Sequence, residues 1–470
     1  MPATSPFYEA HRPLRTLGER REDARRATQN TAPPALKPCY NGFMPLLDQS
    51  YIEDAIVRRN ARASLIDGMW YSVMVGLTNP FFGVLAMKLG ATDYLVGLLA
   101  SLPALVAMLS QLPGAAYTNR FARHLDPVIR SAWAYRVFYL VFAVIPFIKL
   151  PGASRAWLFV TLLAVSNLPG TASGVAWTAL MGKLFPGNIR GVIFGERNMA
   201  AGLVTLVATA IAGVWLDVVR FPYNYSSLYV ISFGALMASL YYLTKLREEP
   251  SAPALRAPTT APSSVRAPAV HKPAGGLSRL ALHNHPRFVS FTITSFVFHL
   301  GLNLTVAVFT ILFVRILHLP QVWIGAFSAL NGVTSVLTYQ AWGRVADRRG
   351  NLWVLVASTG GFGASILLYV VSGSPLFLSL LMLVGGVCAA GFNLALFNGL
   401  LDVTPQEGRA TYVAVFNTLM GVTGFLSPLA GVFLLDRVGL ASVFIIAAVV
   451  RLAGAVLYRR EMRTAAQVAA

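Results

Sequence analysis

Runs of about twenty apolar residues recur along this chain, the length a helix needs to cross a hydrocarbon layer. Twelve are read, at 63–87, 94–116, 130–149, 155–180, 199–219, 226–245, 288–314, 323–342, 352–371, 375–400, 411–434 and 440–458. Short polar or Pro/Gly breaks separate them, save for one long break at 247–287. Lipid cannot satisfy free backbone N–H and C=O groups, so such runs must be helices. Barrel strands would be shorter and would alternate. The composition agrees, with 56% hydrophobic and only 12% charged residues. A soluble domain of this size needs more polar surface. The expected fold class is therefore an all-α polytopic membrane protein with twelve transmembrane helices. A soluble enzyme, a disordered scaffold and a nucleic-acid binder are excluded as first readings.

The net charge of +19 fits that picture, because Lys and Arg fall mostly in clusters between the apolar runs. With both ends in the cytoplasm, thirty of them lie inside and six outside (Lys88, Lys149, Arg155, Arg220, Arg315 and Arg437), with Arg136 and Arg451 inside helices. That asymmetry orients the chain. The expectation is a multi-pass plasma-membrane protein, in a bacterial inner membrane, with the lipid bilayer as its partner. Five segments follow: a basic tail at 1–60, a six-helix bundle at 61–246, a linker at 247–287, a second bundle at 288–460 and a short tail at 461–470. The linker is rich in Pro, Ala and Ser, and a short surface helix is expected at 277–288. Cys39 and Cys388 lie in a polar tail and an apolar run, so no disulfide is expected, and neither has metal-ligand company.

The six-and-six division carries a repeat. Pro186, Arg190, Phe194 and Asn198 precede the fifth run; Pro405, Arg409, Val413 and Asn417 precede the eleventh at the same spacing. Asn119 and Arg120, between runs two and three, align with Asp347 and Arg348 between runs eight and nine. Two similar bundles around a cleft are the physics of alternating access. The segment from Gly343 through Asp347 and Arg348 to Gly350 reads G-x-x-x-D-R-x-G. It is similar to the loop signature of the major facilitator superfamily (MFS) of secondary transporters, which the chain resembles over residues 61–460. The earlier loop departs from the signature, with Ala115, Asn119 and Ala122 at the corresponding places. The resemblance implies two pseudo-symmetric six-helix bundles. It also implies a gate in which Asp347 meets the start of the fifth helix near Arg190. Gly343, Gly350, Arg348, Asn119, Arg120 and Arg409 join Asp347 and Arg190 as expected gating residues. The gate should be weaker through neutral Asn119. The competing reading is a basic loop that only fixes topology.

Polar residues in spanning helices usually face the bundle interior. Asp67 and Tyr71 share a helical face, as do Asn167 and Thr171, and His299 and Asn303; Asn393 lies on the tenth helix. In the superfamily the first, fourth, seventh and tenth helices line the cavity, which makes Tyr71, Asn167, Thr171, His299, Asn303 and Asn393 the expected substrate contacts. The simpler reading is that these groups tie helices together. His299 and Asp67 are the candidates for coupling to a proton or sodium ion. Glu196 and Arg197 are expected to pair locally, and Arg136 and Arg451 to snorkel or pair across helices. The cavity is expected to be mostly neutral and to suit a small neutral or lipophilic solute.

The expected function is therefore secondary transport of a small-molecule substrate by a monomer, with no cofactor and no enzymatic activity. No phosphate-binding loop for ATP is present. A membrane-embedded transferase would need a His/Asp/Ser cluster at one face, and the seven histidines form none. A transporter-like sensor or assembly subunit would signal through the tail. Truncation of residues 1–55 separates that reading from transport.

Overall fold

The computed structural model describes Ile52 and residues 54–185, 187–248, 285–405 and 409–469. The chain falls into two units, Met1–Asp48 and Gln49–Ala470. The first lies outside the described residues, as do most of the linker and most of the helix expected at 277–288.

The described elements are helices. In chain order α1 is Ala55–Thr78, α2 Phe82–Lys88, α3 Asp93–Thr118, α4 Leu125–Val144, α5 Ser154–Leu184, α6 Gly187–Val218 and α7 Tyr223–Thr244. The second half runs through α8 Pro286–Leu304, α9 Val306–Ile311, α10 Gln321–Arg349, α11 Asn351–Leu368, α12 Pro375–Val403 and α13 Arg409–Ala469. The ends follow local chemistry. Asp54 caps α1 by accepting from the amides of Ile56 and Val57, and Thr92 caps α3. Asn79-Pro80-Phe81 makes a 3-10 turn that separates α1 from α2. Proline lacks the N–H that would continue the helix ladder.

Among the described residues eleven helical stretches are long and apolar enough to span a membrane, and the last covers Tyr412–Thr464 in 53 residues. At 1.5 Å per residue that is roughly 80 Å, far more than one crossing uses. Gly439 divides α13, with φ 78° and ψ 169° inside an otherwise helical run. This conformation is essentially restricted to glycine. The two arms bring the helical crossings among the described residues to twelve, so the start of α1 and the end of α13 lie at one face, here the terminal face.

The two halves repeat their packing. In the first, α1 lies on α6, α3 on α5, and α4 on α5 and α7; in the second, α8 lies on α13, α10 on α12, and α11 on α12 and α13. Between the halves α6 packs on α10 and α3 on α13. The apolar core is not distributed evenly along these helices. Away from the terminal face, one continuous cluster joins both halves, from Phe81, Leu85 and Phe159 to Phe313, Phe327 and Phe444. Toward the terminal face the core divides. One cluster holds only first-half residues, Val128, Leu180 and Leu243 among them, and another holds only second-half residues, such as Phe291, Leu355 and Phe416.

Polar links reinforce the joined end. Asp217 at the end of α6 accepts from the amides of Gln321 and Val322 at 2.9 and 2.8 Å, capping the start of α10. An anion there gains from the helix dipole. The Tyr225 hydroxyl donates to Gln321 Oε1. Arg315 pairs with Asp93 at 2.6 Å and donates to the Ala91 carbonyl. Gly213 and Gly325 let α6 and α10 cross almost in backbone contact: a Cβ on Gly325 would meet the Thr209 carbonyl oxygen at 2.9 Å. Small residues allow such approach where lipid gives helices no hydrophobic drive to associate.

Candidate functional site

Within the first half, α1, α4, α5, α6 and α7 enclose a cavity of ≈ 270 Å³. Helical spacing builds it. Asp67 and Tyr71 are one turn apart on α1; Gly170, Ser173, Gly174 and Trp177 make a stripe on α5; Ser239 and Leu243 are one turn apart on α7. Tyr135 and Arg136 enter from α4, Arg197 from α6 and Val128 from near the start of α4. The small α5 residues create the space, since a Cβ on Gly174 would touch nothing within 4 Å.

Three charges line this cavity. Asp67 is 4% exposed and Arg136 3%, so neither is a surface group. The Arg136 Nε donates to the Leu236 carbonyl at 2.7 Å and its Nη2 to Ser239 Oγ at 2.9 Å. Ser239 in turn donates to Asp67 Oδ1 at 2.6 Å. Arg197 sits on the other side, its guanidinium stacked on the Trp177 ring at 4.6 Å and its Nε donating to the Ser64 carbonyl at 3.2 Å. Its Nη2 lies 3.7 Å from Asp67 Oδ2, an ion pair longer than a hydrogen bond. Tyr135 and Tyr139 share a 2.8 Å hydrogen bond behind the site. The Trp177 Nε1–H is buried without a hydrogen-bond partner among the described residues. The pocket thus holds two guanidiniums and one carboxylate among its lining residues.

The sequence pointed to Asp67 and Tyr71, and both line this cavity. Thr171 is half-buried beside Gly170 on α5, while Asn167 donates back to the Leu163 carbonyl of its own helix. In the second half His299 contacts the Ser295 carbonyl at 2.7 Å through Nδ1, with Phe392 against its ring. A carbonyl can only accept, so Nδ1 carries a proton. Asn303 donates to Thr423 and ties α8 to α13; Asn393 is exposed on α12. The expectation of a mostly neutral cavity meets three charged side chains here. Arg136 bonds across helices, and Arg197 turns to Asp67 and Trp177. Neither was tied to Asp67 by sequence, because the residues are 69 and 130 positions from it and only packing joins them.

At the terminal face Asp347 and Arg348 are exposed at the end of α10, and Asp347 makes no hydrogen bond or ion pair among the described residues. Arg190 instead donates to the Phe185 and Gly182 carbonyls, closing the end of α5. Gly350 turns α10 into α11 with φ 85°, whereas Gly343 faces open space. Asn119 and Arg120 are exposed beyond α3. The Arg409 side chain lies outside the described residues.

A sequence profile described as Major Facilitator Superfamily matches residues 68–351 and 291–469. The chain belongs to this superfamily. Comparison with curated proteins finds no match. Among solved structures, a bacterial homologue of the human lysosomal transporter Spinster, inward-facing and unoccupied, superposes with TM-score 0.61 at 12% identity, over 90% of this chain and 98% of its own. The nucleoside transporter NupG, in a mutant form, gives 0.63 at 14% over 85% and 99%. A D-xylose–proton symporter gives 0.63 at 12% over 86% and 96%. At these identities the likeness is one of fold. This superfamily member is thus a multi-pass membrane transport protein.

Proposed function

We propose that this protein is a secondary active transporter that carries a small organic solute by rocker-switch alternating access, with the first-half cavity as its solute and coupling site. The observation that carries the reading is the uneven core, continuous between the halves at one end and divided at the other. With both termini in the cytoplasm, as the positive charges favour, this is an inward-open state. The gate at Asp347 and Arg190 is then parted, and closes when the opposite end opens.

Asp67 is the coupling group in this reading. Two guanidiniums beside it leave little room for a further metal cation such as sodium, whereas a proton adds to a single oxygen of this buried carboxylate. Ser239, Arg197 and Arg136 face it from three other helices. The test is solute-driven proton movement in liposomes containing the full chain. Asp67→Asn should abolish proton uptake while counterflow exchange of solute persists. Equal proton uptake by the wild type and this variant would remove Asp67 from the role.

A further inference from the structure

The hydrogen-bonding balance of the cavity is lopsided. Its one carboxylate, Asp67, already accepts from Ser239 and stands off from Arg197 by 3.7 Å. Donors are in surplus. A guanidinium has five N–H groups; among the described residues only the Nε–H of Arg197 lies within hydrogen-bond distance of an acceptor, the Ser64 carbonyl, while its Nη2 pairs with Asp67 at the longer 3.7 Å. The indole N–H of Trp177 has no acceptor among them. Two arginines against one aspartate leave a formal charge of +1 among the lining residues. Burial of Asp67 and Arg136 makes such a surplus consequential, since charge there is less screened than at a surface. What completes this set is an acceptor bearing one negative charge.

The rest of the lining describes the remainder of the ligand. The Trp177 ring, Val128 and Leu243 are apolar walls, and Tyr71 and Tyr135 add ring faces. A volume of ≈ 270 Å³ lies just under the usual range for drug-sized ligands, about 300–1,000 Å³. A compact body with one aromatic ring fits that space.

We propose that the cavity takes a small organic monoanion, its carboxylate on Arg197 and the Trp177 N–H and its apolar body against Trp177, Val128 and Leu243. The ligand competes with Asp67 for Arg197. Binding the anion therefore favours a proton on Asp67, and a protonated Asp67 favours the anion. The proposal deepens the transporter reading and rests on it for the ligand being a transported solute; binding itself can be measured without flux.

The test uses the purified full chain in detergent at pH 7 with three probes of one shape: benzoate, benzamide and benzylamine. Benzoate should bind at least about tenfold more tightly than benzamide, as a charge-assisted bond implies, and benzylamine most weakly. Arg197→Gln should erase the preference for benzoate. Trp177→Phe, which keeps the ring and removes the N–H, should weaken benzoate several-fold if the arginine variant does not fold. Asp67→Asn should tighten benzoate and raise the ratio of benzoate to benzamide affinity, an outcome that a merely structural aspartate would not give. Equal binding of the three probes, no binding of benzoate, or weaker benzoate binding in Asp67→Asn overturns the proposal. Labelled benzoate in liposomes then separates the two ideas. Binding without flux counts against transport and leaves the anion site standing, whereas flux of neutral solutes with no benzoate binding does the reverse.

Discussion

Gly174 shows how little side chain the pocket tolerates. Its missing Cβ faces open space rather than a neighbour, so a larger residue there meets no backbone and fills the cavity instead. Gly174→Leu should lower solute flux at least tenfold while the melting temperature stays within about two degrees, read on the same preparation by liposome uptake and thermal unfolding. Loss of folding with loss of flux would show that the position packs rather than opens. At this scale the sequence was informative about α1 and less so elsewhere. Asp67 stood out because an acid inside an apolar run is expensive and usually functional. Trp177 and Ser239 did not, since a tryptophan or serine in a spanning helix is ordinary. Arg197 lay near the start of its helix, where a charge needs no explanation. Asn303 illustrates the opposite case: its helical face was legible, but the Thr423 hydroxyl that engages it belongs to another helix.

Helices were the most readable level, because the apolar run length and the membrane thickness are the same constraint seen twice. Their ends were less so. The ends of α5, α6, α10 and α12 at the terminal face extend past the apolar runs into polar sequence, where hydropathy gives no warning. The start of α4 depends on a group from elsewhere. Glu248, just beyond α7, accepts from the amides of His124 and Leu125 at 3.1 and 2.9 Å and meets Lys183 at 3.6 Å. Burial alone would push this carboxyl up, but those two amides, the His124 ring and the Lys183 ammonium outweigh it and hold it below the ordinary carboxylate range. A depressed folded-state value means the stabilisation is complete above the ordinary carboxylate range and is lost as pH falls through the depressed one. Glu248→Gln should therefore destabilise the protein by about 1 kcal/mol at neutral pH. The difference from wild type should vanish in strong acid; thermal unfolding across pH measures it. A second element-level prediction concerns Gly439. Substitution by Ala forces a side chain into the conformation that separates the two arms of α13, at about 1–3 kcal/mol. Unchanged thermal stability would mean the turn relaxes without it.

For the molecule as a whole, the sequence repeat implied two halves, and the matching order of helix contacts in each is its structural form. Nothing local in the sequence states which end of the pair is closed. That depends on residues far apart, Asp93 with Arg315 and Asp217 with the start of α10, meeting across the halves. Removing both acids as Asp93→Asn with Asp217→Asn should weaken that end by about 1.5–3 kcal/mol, the range for hydrogen bonds involving charged groups. The population should shift some tenfold toward the state open at the other end. Cysteine probes near Asp347 should then react more slowly and probes near Ala91 faster; unaltered rates at both would mean other contacts hold that end.

The near-touching backbones of Gly213 and Gly325 bear on how far such a swing can reach. In the proposed alternating-access motion they would act as a fulcrum set close to one end of a long beam. From Gly325 to Arg349 the helix extends about 36 Å at 1.5 Å per residue. A tilt of roughly 10° about the crossing therefore displaces the far tip by about 6 Å, yet moves atoms beside the glycines by well under 1 Å. A methyl group at either glycine wedges the bearing itself, and so alters the sweep of the distant tip without touching anything that lies there.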